Sequence, residues 1–312
     1  MGAALVLAER GRGATWPNPN VGCVIVAEGR VVGRGWTQPG GRPHAEAMAL
    51  NQAGAAARRA TLYTTLEPCA HVSERGPACS DLIVDAGIAR VVAALGDTDP
   101  RTDGEGFVCL RAGSIDVMVD VRAGDAERSM AGFLSRRCHG RPHVTLKLAL
   151  SLDGAAAMSD GRSQWITGPV ARAHGHLERA RADAVLVGRG TWDADNPKLD
   201  VRLPGLEARS PAIFVLSSAG GAEQTLLSPA DTGQLDADWL LIEGGLTTAA
   251  SFLRNDLVDR LLLYRAPVFI GGGQTLGDLG LRDLADAHAR WSHIDSRRLG
   301  SDTLDVYERI RG

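Results

Sequence analysis

Short apolar, β-branched runs alternate along the first third of the chain with glycine-marked turns and stretches of helical spacing. Residues 21–27 form one such run, Glu28-Gly29-Arg30 reads as a turn and residues 31–36 form a second run, a pattern that predicts a hairpin. Residues 45–53 have helical character and stop at Gly54, a residue that ends helices because it turns left-handed without a Cβ clash. A strand over 61–66, a short helix over 81–86 ended by Gly87 and a strand over 91–95 follow. Helices alternating with strands predict a three-layer α/β sandwich.

The pattern resets around Cys138-His139-Gly140-Arg141-Pro142, and a new strand is expected from Val144. At about 150 residues per domain the chain has room for two cores, and this reset places the domains at 1–140 and 141–312. In the second, strands are expected over 144–150, 184–187, 213–216, 239–242, 261–264 and 304–307. Helices are expected over 169–181, with Pro169 in the first turn where its missing N–H costs nothing, and over 247–254. No fixed-period repeat interrupts this order.

Composition removes whole classes of function. Hydrophobic residues at 44% and charged residues at 23% belong to an ordinary folded chain, not a disordered one. A formal net charge of −3 supplies no field for a polyanion, so no nucleic-acid partner is expected. The apolar stretches 21–27 and 257–270, the latter carrying Asp259, Arg260 and Arg265, are too short or too charged to span a bilayer. The first ten residues lack the basic start of a secretory signal, so no membrane association and a cytoplasmic address are expected. Five cysteines, Cys23, Cys69, Cys79, Cys109 and Cys138, argue against a disulfide framework, and any that cluster read as thiol or metal chemistry.

One cluster stands out. His44-Ala45-Glu46 opens the 45–53 helix, Pro68-Cys69 follows a strand, and Cys79 comes ten positions after Cys69. A catalytic zinc needs three protein ligands and an open position for water, whose pKa it lowers to about 7. His44, Cys69 and Cys79 fill the three places, and Glu46 is a non-ligating carboxylate that can carry the water proton to a leaving amine. Taken singly, these are a helix-cap histidine, a solvated first-turn acid and small core thiols. Together they match the zinc-deaminase pattern. Two competing readings are a nucleic-acid base deaminase, which the negative charge opposes, and a zinc-stabilised binding module, whose fourth ligand His71 could supply.

The second half has no G-x-G-x-x-G after a strand and no G-x-x-x-x-G-K-[ST], so a dinucleotide must bind without a Rossmann or P-loop motif. Gly188-Arg189-Gly190-Thr191, Glu243-Gly244-Gly245-Leu246-Thr247 and Gly271-Gly272-Gly273 are the candidate loops for cradling phosphate. Only two of the 34 basic residues are lysines, Lys147 and Lys198. Lys147 falls mid-strand on the face of Thr145 and Ala149, opposite Val144, Leu146 and Leu148. It reads either as a site lysine or as an edge-strand lysine reaching water.

The segments Pro17-Asn18-Pro19-Asn20-Val21-Gly22-Cys23, Pro43-His44-Ala45-Glu46 and Leu66-Glu67-Pro68-Cys69-Ala70-His71 resemble the bifunctional riboflavin-biosynthesis deaminase/reductase family. Lys147-Leu148-Ala149-Leu150-Ser151-Leu152-Asp153-Gly154, Ser163-Gln164-Trp165-Ile166-Thr167, Asp195-Asn196-Pro197-Lys198-Leu199 and Ile242-Glu243-Gly244-Gly245 resemble its reductase half. The resemblance implies an N-terminal cytidine-deaminase-like α/β/α domain holding Zn2+ and a C-terminal dihydrofolate-reductase-like α/β domain using NADPH. It implies hydrolytic deamination of 2,5-diamino-6-(5-phosphoribosylamino)pyrimidin-4(3H)-one, then reduction of the ribosyl group of 5-amino-6-(5-phosphoribosylamino)uracil to ribityl. By matching positions, Asn18, His71 and Arg75 would contact the first substrate, with Arg75 or His71 at its phosphate or pyrimidine edge. Lys147, Asp195 and Glu243 would serve the reduction, and Ser163, Asn196, Leu199 and Arg202 would hold its substrate. Trp165, Thr167, Gly188, Thr191, Gly244, Gly245, Leu246 and Thr247 would line the cofactor site. The partners implied are a small phosphorylated pyrimidine and a second copy of the chain, joined through the reductase domain.

Three departures from the family are visible. Its inter-cysteine segment usually reads Pro-Cys-Ser-His-His-Gly-Arg-Thr-Pro-Pro-Cys; here the gap is one residue longer and lacks the second histidine. The first residues fall within the family's first helix. Residues 217–238 are shorter than the corresponding stretch and are expected to lack a helix beside the adenosine end of the cofactor.

Overall fold

The computed structural model describes residues 1–71, 75–220 and 224–311. Residues 72–74 of the inter-cysteine gap, 221–223 of the shortened stretch and the last residue therefore lie outside the described residues. The chain divides into two compact units, Met1–His139 and Gly140–Gly312.

Among the described residues, the first unit carries five strands, β1 (Gly22–Ala27), β2 (Arg30–Trp36), β3 (Thr61–Thr64), β4 (Arg90–Ala93) and β5 (Asp116–Met118), in the order β2-β1-β3-β4-β5. β1 runs antiparallel to β2 and β3, while β3, β4 and β5 are parallel. The helices are α1 (Gly2–Ala8), α2 (Ala45–Ala53), α3 (Cys79–Asp85), α4 (Glu105–Ala112), α5 (Ala123–Ser129) and α6 (Ala131–His139). The β1–β2 hairpin turns through Glu28 (φ 49) and Gly29 (φ 75), the positive-φ pair that matches the strands' right-handed twist.

α2 lies unusually close to β2. A Cβ on Gly33 would come to 2.2 Å from the Ala49 carbonyl oxygen, and one on Gly35 to 2.0 Å from that of Ala45. The helix meets this glycine pair with Ala45, Ala49 and Ala53, all buried, so backbone rests on backbone. β3 ends at Thr64, earlier than its apolar run suggests, and the chain then bends so that the Leu66 carbonyl comes within 3.0 Å of the Thr64 hydroxyl oxygen. β4 likewise ends at Ala93 and α3 starts at Cys79, ahead of the expected position.

The second unit is built on an eight-stranded sheet of described residues. Its strands are β6 (His143–Leu150), β7 (Ala184–Gly188), β8 (Ala212–Leu216), β9 (Thr225–Leu226), β10 (Trp239–Ile242), β11 (Arg260–Arg265), β12 (Trp291–Leu299) and β13 (Asp302–Arg309). In the order β12-β13-β11-β6-β10-β7-β8-β9, the run from β11 to β9 is parallel, while β12 and β13 pair antiparallel. Helices α7 (Pro169–Ala180), α8 (Arg189–Asp195) and α9 (Leu246–Arg254) complete it. Between 217 and 238 the described residues hold β9 and a 3-10 turn, Pro229–Gln234, with no α-helix.

β6 is interior, bonded to β11 on one side and β10 on the other, which overturns the edge-strand reading of Lys147. Val144, Leu146 and Leu148 enter the core from one face of β6, leaving Thr145, Lys147 and Ala149 on the other. Residues 188–191 are not a free loop either, since α8 begins at Arg189. All five cysteines are free thiols, and among the described residues no helix is long and apolar enough to cross a membrane.

The start of β6 is pinned by Asp259. Its carboxylate takes two bonds from Arg141, at 2.7 and 2.8 Å, one from the Val144 backbone N–H at 2.8 Å, and an ion pair with Arg311. Burial pushes this carboxyl up, but the Arg141 bonds outweigh it and bring the pKa down to about 2 from an ordinary 3.8. A depressed carboxylate stabilises above its unfolded pKa and loses that contribution as pH falls through the folded value. Asp259→Asn is therefore expected to cost roughly 2–4 kcal/mol at neutral pH. Chemical unfolding at a series of pH values should show this gap narrowing between about 4 and 2; a gap independent of pH would contradict the assignment.

Candidate functional site

In the first unit, three elements bring donor atoms to one point. His44 is the extended residue just before α2, Cys69 lies in the loop after β3, and Cys79 is the first residue of α3. The His44 Nδ1 atom is 3.3 Å from the Cys79 Sγ and 3.5 Å from the Cys69 Sγ, and the three atoms lie within 4.8 Å of one another. Tetrahedral zinc with Zn–S near ~2.3 Å and Zn–N near ~2.05 Å sets its S···N separations at about 3.6 Å. The donor set fits that ion in both chemistry and spacing.

The sulfurs are poised for a cation. The Cys69 thiol is held down to about 4, first by the hydrogen bond from the Cys79 thiol, then by His44 and by the Cys79 backbone N–H at 3.3 Å. Cys79, which gives up its proton second and is buried, is correspondingly raised. Glu46 lies in the first turn of α2, 3% exposed, and is outside the three-donor group. Burial pushes its carboxyl above the usual range, while the charge of His44 and the Thr64 hydroxyl, donating to Oε1 at 2.9 Å, pull it partly back.

His71 does not join the donors; its Nδ1 sits 3.4 Å from the Thr102 hydroxyl. Among the described residues there is thus no four-ligand site, and the binding-module reading loses its support. The Asn18 amide donates to the Gly41 carbonyl at 3.2 Å and lies 3.2 Å from the His44 Nε2. Arg75 is exposed and donates to the Gly40 carbonyl at 2.8 Å. Beside the donors opens a cavity of about 420 Å³ whose wall includes Arg42, His44, Arg75, Gly76, Cys79 and Leu82.

Sequence reasoning missed Glu67, which is 2% exposed. Its carboxylate accepts the backbone N–H groups of Asp97 (3.0 Å), Gly104 (3.1 Å) and Phe107 (3.1 Å), tying the approach to α4 against the Pro68-Cys69 turn. A Cβ on Gly106 would stand 2.1 Å from the Pro68 carbonyl oxygen, so that seat is tight. An acid directly before Pro-Cys in an apolar stretch was the available signal.

In the second unit, Glu243 emerges at the C-terminal end of β10 with a side chain 6% exposed. Arg179 of α7 grips it with two bonds, 2.5 and 3.0 Å, and the Lys147 Nζ lies 3.8 Å away. Burial alone would raise the Glu243 carboxyl; Arg179 and Lys147 more than offset it and hold it below the usual range. Arg179 also donates to the Asp200 carbonyl at 3.0 Å, which His176 Nδ1 approaches to 3.1 Å. Sequence reading did not single out Arg179, because one arginine on a helix carries no mark in a chain this rich in arginine.

The glycine segments after β7 and β10 meet. A Cβ on Gly188 would strike the Thr248 hydroxyl at 2.2 Å, one on Gly244 would lie 2.9 Å from the Gly188 nitrogen, and the Gly245 N–H donates to the Thr191 hydroxyl at 3.0 Å. Gly188, Thr191, Gly244 and Gly245 thus gather where α8 and α9 begin, with Leu246 and Thr247 in the first turn of α9. This glycine-rich junction of strand ends and helix starts, lined with the Thr191 and Thr248 hydroxyls, fits an extended phosphate-bearing cofactor. The third loop is tied down instead, since Asp153 accepts the N–H groups of Ile270 (3.1 Å) and Gly271 (2.8 Å).

Asp195 ends α8 and takes a 3.5 Å contact from Gln164, the neighbour of Ser163 and Trp165. Trp165 is exposed with the Arg172 guanidinium 5.0 Å from its ring, and Arg172 also bonds the Thr167 carbonyl at 2.6 Å. Asn196 follows with left-handed backbone, and Arg202 is exposed with Nε 3.0 Å from Asp200. Leu199 is set apart: its side chain packs in the core with Val185, Val187 and Val215, leaving only its backbone for a ligand.

Comparison with known proteins agrees with this division. Residues 1–95 match the cytidine and deoxycytidylate deaminase zinc-binding region, and residues 142–232 and 225–304 match the RibD C-terminal domain. The chain is 38% identical to riboflavin biosynthesis protein RibD of Escherichia coli (strain K12), covering 97% of this chain and 96% of that protein. It is 36% identical to the Aquifex aeolicus (strain VF5) protein of that name, over 99% of this chain and 97% of the other. Among solved structures it resembles Acinetobacter baumannii RibD with a TM-score of 0.86 and 32% identity, covering 99% of this chain and 98% of that one. It also resembles the diaminohydroxyphosphoribosylaminopyrimidine deaminase/5-amino-6-(5-phosphoribosylamino)uracil reductase of Thermotoga maritima, with a TM-score of 0.88, 30% identity, and 99% and 97% coverage.

The donor geometry predicts one zinc per purified chain. Cys69→Ser and His44→Ala should lose it on dialysis against a mild chelator, and Glu46→Gln should keep it. Elemental analysis decides this; loss of zinc from Glu46→Gln would make Glu46 a ligand and contradict the reading.

Proposed function

The chain belongs to the RibD family of bifunctional deaminase/reductases of riboflavin biosynthesis, and from that premise we propose a division of labour among its residues. The Met1–His139 unit deaminates the diaminopyrimidine ribotide hydrolytically, and the Gly140–Gly312 unit reduces the ribosyl group of the deaminated product to ribityl. The observation that carries the reading is the convergence of His44, Cys69 and Cys79 within 4.8 Å, with Glu46 buried beside them yet outside the donor set.

Zinc, when bound by those three donors, acidifies a water at its open position, and NADPH, when bound in the second unit, supplies a hydride. Glu46 does the proton work of the first reaction. It takes the protons of the attacking water in turn, passing one to the ring nitrogen and one to the departing amine, so that water and an amino-bearing carbon become a carbonyl and ammonia. Burial, by favouring the protonated carboxyl, lets Glu46 hold that proton between the two steps, and Thr64 fixes one of its oxygens. Asn18, His71 and Arg75 surround the approach and are assigned to the substrate.

In the second reaction the ribose opens to an imine conjugated with the pyrimidine. Hydride adds to the former anomeric carbon and a proton to the attached nitrogen. Lys147 supplies the cation that faces the oxygen freed by opening, and Glu243, clamped by Arg179, holds Lys147 in place. Asp195 stands at the reacting carbon, while Ser163, Asn196, Arg202 and the backbone of Leu199 hold the substrate. Trp165, Thr167, Gly188, Thr191 and residues 244–247 line the cofactor. We also propose self-association through the second unit, supported by exposed Leu152, Val268 and Phe269, and action in the cytoplasm on small phosphorylated substrates.

Two substitutions separate the reactions. Glu46→Gln should lower kcat for ammonia release by about 10²-fold or more, while NADPH oxidation with the deaminated ribotide continues. Lys147→Met should do the reverse, with its loss in kcat. Unchanged kcat with a raised KM in Lys147→Met would reduce Lys147 to a binding group, and full deaminase activity in Glu46→Gln would remove Glu46 from the chemistry.

A further inference from the structure

The wall of the 420 Å³ cavity beside the zinc donors includes two guanidiniums, Arg42 and Arg75, and no described wall residue is a carboxylate. The two arginines come from different segments that the backbone holds together. Arg75 donates to the Gly40 carbonyl at 2.8 Å, which attaches its segment to the 40–43 turn. From the other side the Arg42 Nη1 reaches over Gly76, so closely that a Cβ there would stand 3.1 Å from it, and Gly76 has φ +142. Arg42 lies two residues before the donor His44, half-buried, and forms no ion pair among the described residues. Two guanidiniums on one concave wall, with no carboxylate among its described residues, suit a dianionic group. A planar guanidinium presents paired N–H groups that match phosphate oxygens.

We propose that Arg42 and Arg75 form a two-arginine clamp for the terminal phosphate of the deaminase substrate, with Arg42 as its specificity-determining half. The inference rests on the deaminase reading above and extends it to a residue which that reading did not use. A phosphate monoester seated between the arginines would leave the ring end of the molecule free to reach the donors His44 and Cys79, which line the same cavity. A cavity of this volume is of the size that encloses a small ligand.

The test compares wild type, Arg42→Ala and Arg42→Gln on the diaminopyrimidine ribotide and on the same compound without its phosphate. Zinc content serves as the control for folding. The clamp predicts that KM for the ribotide rises about 10-fold or more while kcat changes little, as expected for losing a charge-assisted contact to phosphate. The ratio of kcat/KM for ribotide over riboside should fall by a similar factor. Ribose 5-phosphate, titrated calorimetrically into wild type and variants, should bind the variants at least 10-fold more weakly. An unchanged ratio with unchanged sugar-phosphate binding would overturn the proposal, as would equal losses on both substrates. Wild-type protein that deaminates neither compound would instead overturn the deaminase reading, while the sugar-phosphate titration would still decide the clamp. If Arg42→Ala loses zinc, Arg42→Gln carries the comparison.

Discussion

Taking a carboxylate out of water costs several kcal/mol unless other groups replace its hydration, and four buried carboxylates organise this chain. Three are compensated in full. Glu67 takes three backbone N–H groups, Asp259 takes Arg141, Arg311 and the Val144 N–H, and Glu243 takes Arg179 with Lys147 nearby. Each of the three acts as a fixed post: Glu67 behind the Cys69 turn, Asp259 at the start of β6, Glu243 under Lys147. Glu46 differs. Its named partners are the Thr64 hydroxyl, its own backbone and the charge of His44, too little to offset burial, so its carboxyl is pushed toward the protonated state. That incompletely compensated acid is the one assigned to move protons.

That assignment depends on where α2 sits. Gly33 and Gly35 let the helix backbone rest on β2, and this contact carries His44 and Glu46 to the strand ends where Cys69 and Cys79 arrive from the other side. The second unit uses glycine for a similar purpose. Gly188 and Gly244 have no side chains, so the β7 and β10 ends close up, and Glu243 is left as the first side chain beyond β10 on the way to Lys147. In both units the chemistry gathers at strand ends, on backbone brought close by the absence of side chains.

Much of this was legible in the residues because the signals were local. The hairpin was marked by Glu28-Gly29, α2 by Gly54, and the zinc donors by a short spacing of rare side chains. Period-two patterning placed Lys147 on the correct face of β6, but the strand's interior position depends on β10 and β11, far along the chain, which no local pattern encodes. Helices α4, α5 and α6 were not foreseen; each is only seven to nine residues long, and α5 buries just Ala126 and Ser129, too short a pattern to read as apolar periodicity. Glu67 was hidden because its partners are backbone groups, and Arg42 and Arg179 because arginine is the background residue here. Leu199 was placed in the site by its neighbours in sequence, whereas its own side chain, at 4% exposure, follows the core.

The central claim is that one chain carries two chemically separate sites acting in order, the first dependent on zinc and the second not. The most direct measurement follows ammonia and NADPH together during turnover of the diaminopyrimidine ribotide, before and after zinc is removed, and repeats the assay with the deaminated ribotide. The account predicts one ammonia released and one NADPH consumed per substrate, with ammonia first. It predicts that zinc removal stops both signals from the diamino substrate but leaves NADPH oxidation with the deaminated one. Loss of that second reduction along with zinc, or NADPH oxidation ahead of ammonia release, would contradict it.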